Sequence, residues 1–410
     1  MILAVSAANA SYGQNNEIYD KGIASLQVVA GDDWMALPVI TLGADGPENR
    51  INISFDDLTH TYNRYAYKIE HCEADWTVSE ELFSSDYVAG FQEGNTIEDY
   101  EESVNTNILY THYKLHIPNE RCALKMSGNY RLTMIDENDG GRPVLSACFM
   151  VVEQAASVGL SVTSNTDIDI NKSHQQVDMQ VNYGRLNVND PSSQIKTVVM
   201  QNRRWDNARI NPKPQYIMPD GLKWEHNRDM IFEAGNEYRK FEILDVSHPT
   251  MGIDRIVWDG TDYQAYPYAC EPRLNYVYDE DANGAFYIRN SDNIENDVAS
   301  EYVYVNYVLH TAQDIDGEIY LNGAWTNGQF TPEYRMNYDD TAGCYKASVL
   351  QKQGYYSYQF VLVDGNGTSR TVPSEGSFYQ TENTYQALVY YRGQGERADR
   401  LVGYGHVRIK

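Results

Sequence analysis

Glu301-Tyr302-Val303-Tyr304-Val305-Asn306-Tyr307-Val308-Leu309 is the clearest alternation in the chain. Its side chains are aromatic or β-branched, types that pack on a pleated, half-buried surface and crowd the preceding turn of a helix. The run predicts a strand. Downstream, 317–325, 344–350, 354–360 and 385–391 repeat the pattern between turn signals, a spacing that fits a small immunoglobulin-like sandwich.

Upstream the same signal recurs. Short apolar-alternating runs at 25–29, 39–42, 51–55, 65–69, 113–117, 130–135 and 148–152 suit a first sandwich. The 75–107 stretch between them is long and polar, so it should cover one end of that unit. After 154 the strands resume at 158–163, 176–181 and 195–201, then a proline-broken 211–219, with further candidates at 236–243 and 276–278. No apolar period of 3.6 residues is sustained anywhere. The reading is all-β, tandem immunoglobulin-like or β-sandwich domains with few short helices: an N-terminal domain over 15–154, a middle one over 155–298 and a C-terminal one over 299–410.

The 410 residues include 34 Tyr against 10 Phe and 6 Trp, an excess that suits sheets and wet interfaces. Lys and Arg total 32 and Asp and Glu 58, a formal charge of −26. A nucleic-acid backbone or an anionic lipid surface would be repelled, whereas a basic patch on a protein partner would be attracted. Met1-Ile2-Leu3-Ala4-Val5-Ser6-Ala7-Ala8-Asn9-Ala10 is a short apolar run ending in small residues, so 1–14 reads as a signal peptide remnant. Cleavage near Ala10 or just before Gln14 would start the exported chain around Gln14 or Asn15; a buried first strand is the alternative. No later run reaches the ~18 apolar residues that span a bilayer. Cys72, Cys122, Cys148, Cys270 and Cys344 are scattered and odd in number, which is not a disulfide scaffold, although one bridge among the first three stays open.

Chemistry is harder to find. Tyr65-Ala66-Tyr67-Lys68-Ile69-Glu70-His71-Cys72-Glu73-Ala74-Asp75-Trp76 crowds an imidazole, a thiol and carboxylates behind a strand-like run, and a reactive site of His71, Cys72 and Asp75 is one reading. Neighbours on a strand point to opposite faces, so His71 cannot simply activate Cys72. Asp279-Glu280-Asp281-Ala282-Asn283-Gly284 matches the opening of a calcium loop, with Asp279, Asp281 and Asn283 as oxygen ligands. Its twelfth position is Asn290 rather than a bidentate Glu, so a turn on Asn283-Gly284 is more economical. Asp364-Gly365-Asn366-Gly367 reads as another turn. Paired carboxylates such as Asp56-Asp57 and Glu101-Glu102 read as solvated faces. Nucleophile-elbow, zinc-helix, phosphate-loop and dinucleotide signatures are missing, and neither catalytic nor cofactor-binding residues are expected. Aromatics around Trp325 and in 354–360 could stack on sugar rings, which keeps a carbohydrate-binding or surface-attached β-sandwich module as the alternative function.

Several segments together resemble one family. They include Ile51-Asn52-Ile53-Ser54-Phe55-Asp56-Asp57-Leu58, the 65–76 stretch, Tyr87-Val88-Ala89-Gly90-Phe91, Tyr110-Thr111-His112-Tyr113-Lys114-Leu115-His116 and Ser127-Gly128-Asn129-Tyr130. Later come Val199-Met200-Gln201-Asn202-Arg203-Arg204-Trp205-Asp206-Asn207, Gly235-Asn236-Glu237-Tyr238-Arg239, Thr381-Glu382-Asn383-Thr384-Tyr385 and Arg397-Ala398-Asp399-Arg400-Leu401-Val402-Gly403. The combination, from about Ile18 to Gly403, resembles the plug protein of the type IX secretion system of the Bacteroidetes. Glu73 departs from it, standing where the family pattern favours Asn. The resemblance implies a periplasmic, non-enzymatic protein that docks on the outer-membrane translocon barrel and occludes its periplasmic opening when no cargo passes. It carries over no catalytic or partner-binding residue.

Overall fold

The structure, a computed structural model, describes residues 16–313 and 315–409; the 1–14 signal remnant lies outside the described residues. Strands dominate, and the three α-helices among the described residues, Ser84–Tyr87, Pro191–Gln194 and Asn296–Ala299, are one turn each.

Residues 17–152 form two facing sheets. One orders Glu17–Ile18, Arg142–Val152, Gly128–Asp136, Tyr65–Cys72 and Asn95–Thr96, with Val39–Thr41 parallel to Arg142–Val152. The other orders Ile23–Ala30, Ile51–Asp57, Thr111–Ile117 and Asp99–Glu102. Period-2 alternation turns Tyr65, Tyr67 and Ile69 toward Ile51, Ile53, Phe55 and Tyr113, and the Phe55 and Tyr113 rings stack at 5.2 Å. The 75–107 stretch holds short elements of its own, Ser84–Tyr87, Val88–Gly90 and Asn95–Thr96 among them, and Tyr87 seals the core edge.

The remaining strands do not follow the expected division at 298/299. Ile195–Gln201 pairs with Asn383–Tyr391, which pairs with Arg400–Ile409, so the end of the chain completes the sandwich begun at Ser157–Thr163 and His174–Asn182. Between them a further sandwich is inserted. Its first sheet gathers Arg239–Ile243, Phe286–Ile288, Glu318–Asn322 and Ser369–Thr371 around Gly354–Val363. Its second orders Ile253–Trp258, Tyr263–Pro267, Tyr302–Leu309, Cys344–Lys352 and Asn337–Asp339. Contiguous middle and C-terminal domains are therefore corrected to one sandwich split by another. The physical reason is that Ile195–Gln201, buried on both faces, needs the equally buried Asn383–Tyr391 to satisfy its backbone. The 276–278 run forms no strand; it lies in an irregular connection.

The sandwiches are joined by a further core. Val198, Met200, Leu388, Tyr390 and Leu401 face Leu37, Cys72, Trp76, Cys148, Met150 and Val152 of the first unit, while Val199, Ala387 and Val389 turn the other way into their own sandwich. Four sheets thus stack face to face, which explains why Arg142–Val152 reads as a continuous apolar run instead of an alternating one. The tyrosines serve this packing more than the surface. Tyr113, Tyr130, Tyr302, Tyr307, Tyr385 and Tyr390 are fully buried, each with its hydroxyl bonded.

Candidate functional site

The 65–76 stretch ends the strand Tyr65–Cys72 and enters a tight turn closed by the Trp76 N–H on the Glu73 carbonyl at 2.9 Å. His71 and Cys72 face different cores, His71 toward Tyr87 and Tyr130, Cys72 toward Trp76 and Cys148. His71 is held between Ser79 Oγ, 2.8 Å from Nδ1, and the Ser127 carbonyl, 3.1 Å from Nε2. Burial lowers its pKa to about 4, and burial pushes the Cys72 thiol up to about 12. Asp75 accepts the Thr77 N–H and hydroxyl within the turn. A protonated thiol turned away from a neutral, fully bonded imidazole is no nucleophile and base. Trp76 packs edge-on against Trp205 at 5.7 Å, so the stretch anchors the face between units.

Glu73 shows what that face carries. Its carboxylate bonds the Arg392 guanidinium and accepts the Asp399 N–H at 2.9 Å. Asp399 in turn accepts the Ala74 N–H at 3.0 Å and pairs with Lys196 at 2.7 Å and Arg392 at 3.0 Å. Burial raises the Asp399 pKa, but Lys196, the Ala74 N–H and Arg392 outweigh it and hold the carboxyl below its usual range. Arg397 reaches Asp86 at 2.6 Å, and Arg400 bonds Glu153. The 65–76 and 397–403 motifs, more than 300 residues apart, are therefore two halves of one junction.

A second junction sits on the opposite sheet of the first unit. Asp56 accepts from Tyr302 Oη at 2.6 Å and Lys352 Nζ at 2.7 Å, and His112 Nδ1 lies 2.5 Å from its other oxygen. Lys352 also lies 4.0 Å from the centre of the Tyr110 ring. Burial raises the Asp56 pKa, yet Lys352 and His112 outweigh it and keep the carboxyl low. Asp, His, Lys and Tyr so close together suggest acid–base chemistry, but Asp56 and Lys352 are 0% and 1% exposed and closed off from solvent. This is a closed ion cluster that welds two sandwiches. Asp56-Asp57 is thus corrected from a solvated face to a buried pair. Asp57 shares the inward face of Ile51, Ile53 and Phe55, a signal already present in the period of 2, and accepts the Tyr65 hydroxyl at 2.9 Å.

All three units meet around a cavity of about 450 Å³ lined by Trp34, Leu37, Arg203, Trp205, Tyr238 and Phe286, among others. Arg203 clips them together, donating to the Trp34 carbonyl at 3.2 Å and the Asn283 carbonyl at 3.1 Å. Of the calcium-loop candidates, Asp279 and Asp281 are engaged by protein groups, while the Asn283 side-chain oxygen is buried without a hydrogen-bond partner. Asp279 pairs with Lys240 at 2.6 Å, Asp281 accepts the N–H groups of Tyr238 and Asn283, and Asn283 and Gly284 take positive φ in a turn. Burial raises the Asp281 carboxyl to about 7. No group of three or more potential metal ligands occurs among the described residues. Asp364 closes the turn between Gly354–Val363 and Ser369–Thr371. Trp325 is 8% exposed and, with Tyr356 and Tyr358, packs inside the inserted sandwich, so it offers no open platform for a sugar. All five cysteines are buried, and no disulfide joins any of them among the described residues.

The sequence profile of a family described as Type 9 secretion system plug protein 1st domain matches residues 23–153. A hypothetical protein from Parabacteroides merdae of solved structure is 37% identical, with a TM-score of 0.92 over 97% of this chain and 99% of its own. An enterococcal surface protein N-terminal region (8% identity, 98% of this chain, 96% of its own) and a Salmonella alpha-2-macroglobulin (9%, 96% and 33%) superpose with TM-scores of only 0.16 and 0.18. Curated proteins gave no match.

Proposed function

Because the chain belongs to the type 9 secretion system plug protein family, and so has a role related to type IX secretion, we propose that it docks on the periplasmic opening of the outer-membrane translocon barrel and occludes it when no cargo is passing. In this reading it is periplasmic, its partner is the barrel, and it acts without catalysis. A protein-conducting barrel encloses an aqueous lumen, so an opening left unblocked would leak solutes. A stopper must be wide and stiff. The observation that carries the reading is the welding of three sandwiches by the core around Met150, Met200 and Tyr390 and by the ion clusters at Glu73 and Asp56. Such a body fills an opening without deforming, and a polar acidic exterior favours detachable docking over a permanent greasy interface.

Deleting the protein should make the outer membrane more permeable to a normally excluded antibiotic or dye while cargo export continues. Unaltered permeability in that strain, with the barrel still present, would sink the proposal.

A further inference from the structure

Between the strands Tyr263–Pro267 and Phe286–Ile288 the chain runs through 271–280 without regular structure, yet it is held firmly. The Arg273 guanidinium bonds Glu375 and donates to the Glu237 carbonyl at 2.6 Å, while its backbone N–H meets the Ser374 carbonyl at 2.8 Å. Tyr276 donates its hydroxyl to Glu237 at 2.6 Å and packs on Phe378, and Lys240 ties down Asp279. Between these anchors Leu274, Val277 and Tyr278 are 83%, 74% and 57% exposed. Folding gains almost nothing from apolar side chains that stay in water, and their clustering on a pinned segment marks a contact surface.

We propose that 271–280 is the element that docks this protein on its partner, inserting Leu274 and Val277 into an apolar cleft rimmed by Lys or Arg; the proposal rests on the plug reading and names its contact. The rim follows from charge. Glu271 stands 70% exposed and Glu280 is also exposed on either side of the apolar pair, while the nearby cations Arg273 and Lys240 are paired with Glu375 and Asp279. A second copy of this chain, also at −26, would bring the same acidic rim against itself, and an anionic lipid surface would be repelled.

The test uses the full chain and the purified translocon barrel in detergent, with affinity read by interferometry. Leu274→Ser/Val277→Ser should bind at least tenfold more weakly with an unchanged melting temperature. Glu271→Lys/Glu280→Lys should bind more weakly and lose salt dependence. If wild type binds the barrel and the serine variant binds equally well, the docking element is wrong and the plug reading stands. If wild type does not bind, the plug reading fails and takes the element with it. A wild-type dimer that the serine variant abolishes would also overturn the proposal.

Discussion

His71 is kept neutral by the fold. Its pKa falls from 6.5 to about 4 because burial penalises the imidazolium, so the unfolded chain takes up the proton more readily than the folded one. The stability is intact above about pH 6.5 and is lost as pH falls toward 4. Urea melts should show about 2 kcal/mol of this group's share disappearing between pH 7 and pH 5, with most of the rest lost by about pH 4. His71→Gln should flatten that part of the profile; an equally steep profile would show that other groups cause it. Lys352 poses the opposite problem, since removing it leaves Asp56 buried beside only His112 and Tyr302. Lys352→Met should cost about 3–5 kcal/mol in denaturant, and adding Asp56→Asn should recover much of that loss. Neither residue was legible as a partner of the other. Asp56 and Lys352 lie 296 positions apart, and nothing local marks a lysine whose counterion comes from another sandwich.

Among the elements, the strands were the legible part. The alternation at 301–309 became Tyr302–Leu309, central in its sheet, and 195–201 and 385–391 became strands close to their expected bounds. What local pattern does not encode is which strand a strand pairs with. Val198 and Leu388 meet because each belongs to a segment apolar on both faces, and such segments read alike whatever their partner. One consequence is testable. Residues 155–298 expressed alone should stay unfolded, because Ile195–Gln201 would lack Asn383–Tyr391 and Arg239–Ile243 would lack Gly354–Val363. A cooperative melt with a sheet-type circular dichroism spectrum from that fragment would contradict the split-sandwich architecture.

At the scale of the molecule, the shared core and the two ion clusters should make the sandwiches unfold together. Calorimetry of the full chain should give a single transition, and Met200→Asp, which puts a carboxylate between the stacked sheets, should split off the first unit as a separate transition. A single transition in that variant would mean the units are coupled elsewhere. The sequence by itself determined the class of fold, the position of the main core strands, the acidic composition and the family resemblance, because each is written in local period, composition or motif. Only the tertiary structure decided that the last strands return to the middle sandwich, that Glu73 meets Arg392 and Asp399, and that Asp56 meets Lys352. Those outcomes depend on which buried faces and charges find each other across hundreds of residues, and nothing local marks which distant cation a carboxylate such as Glu73 or Asp56 will meet.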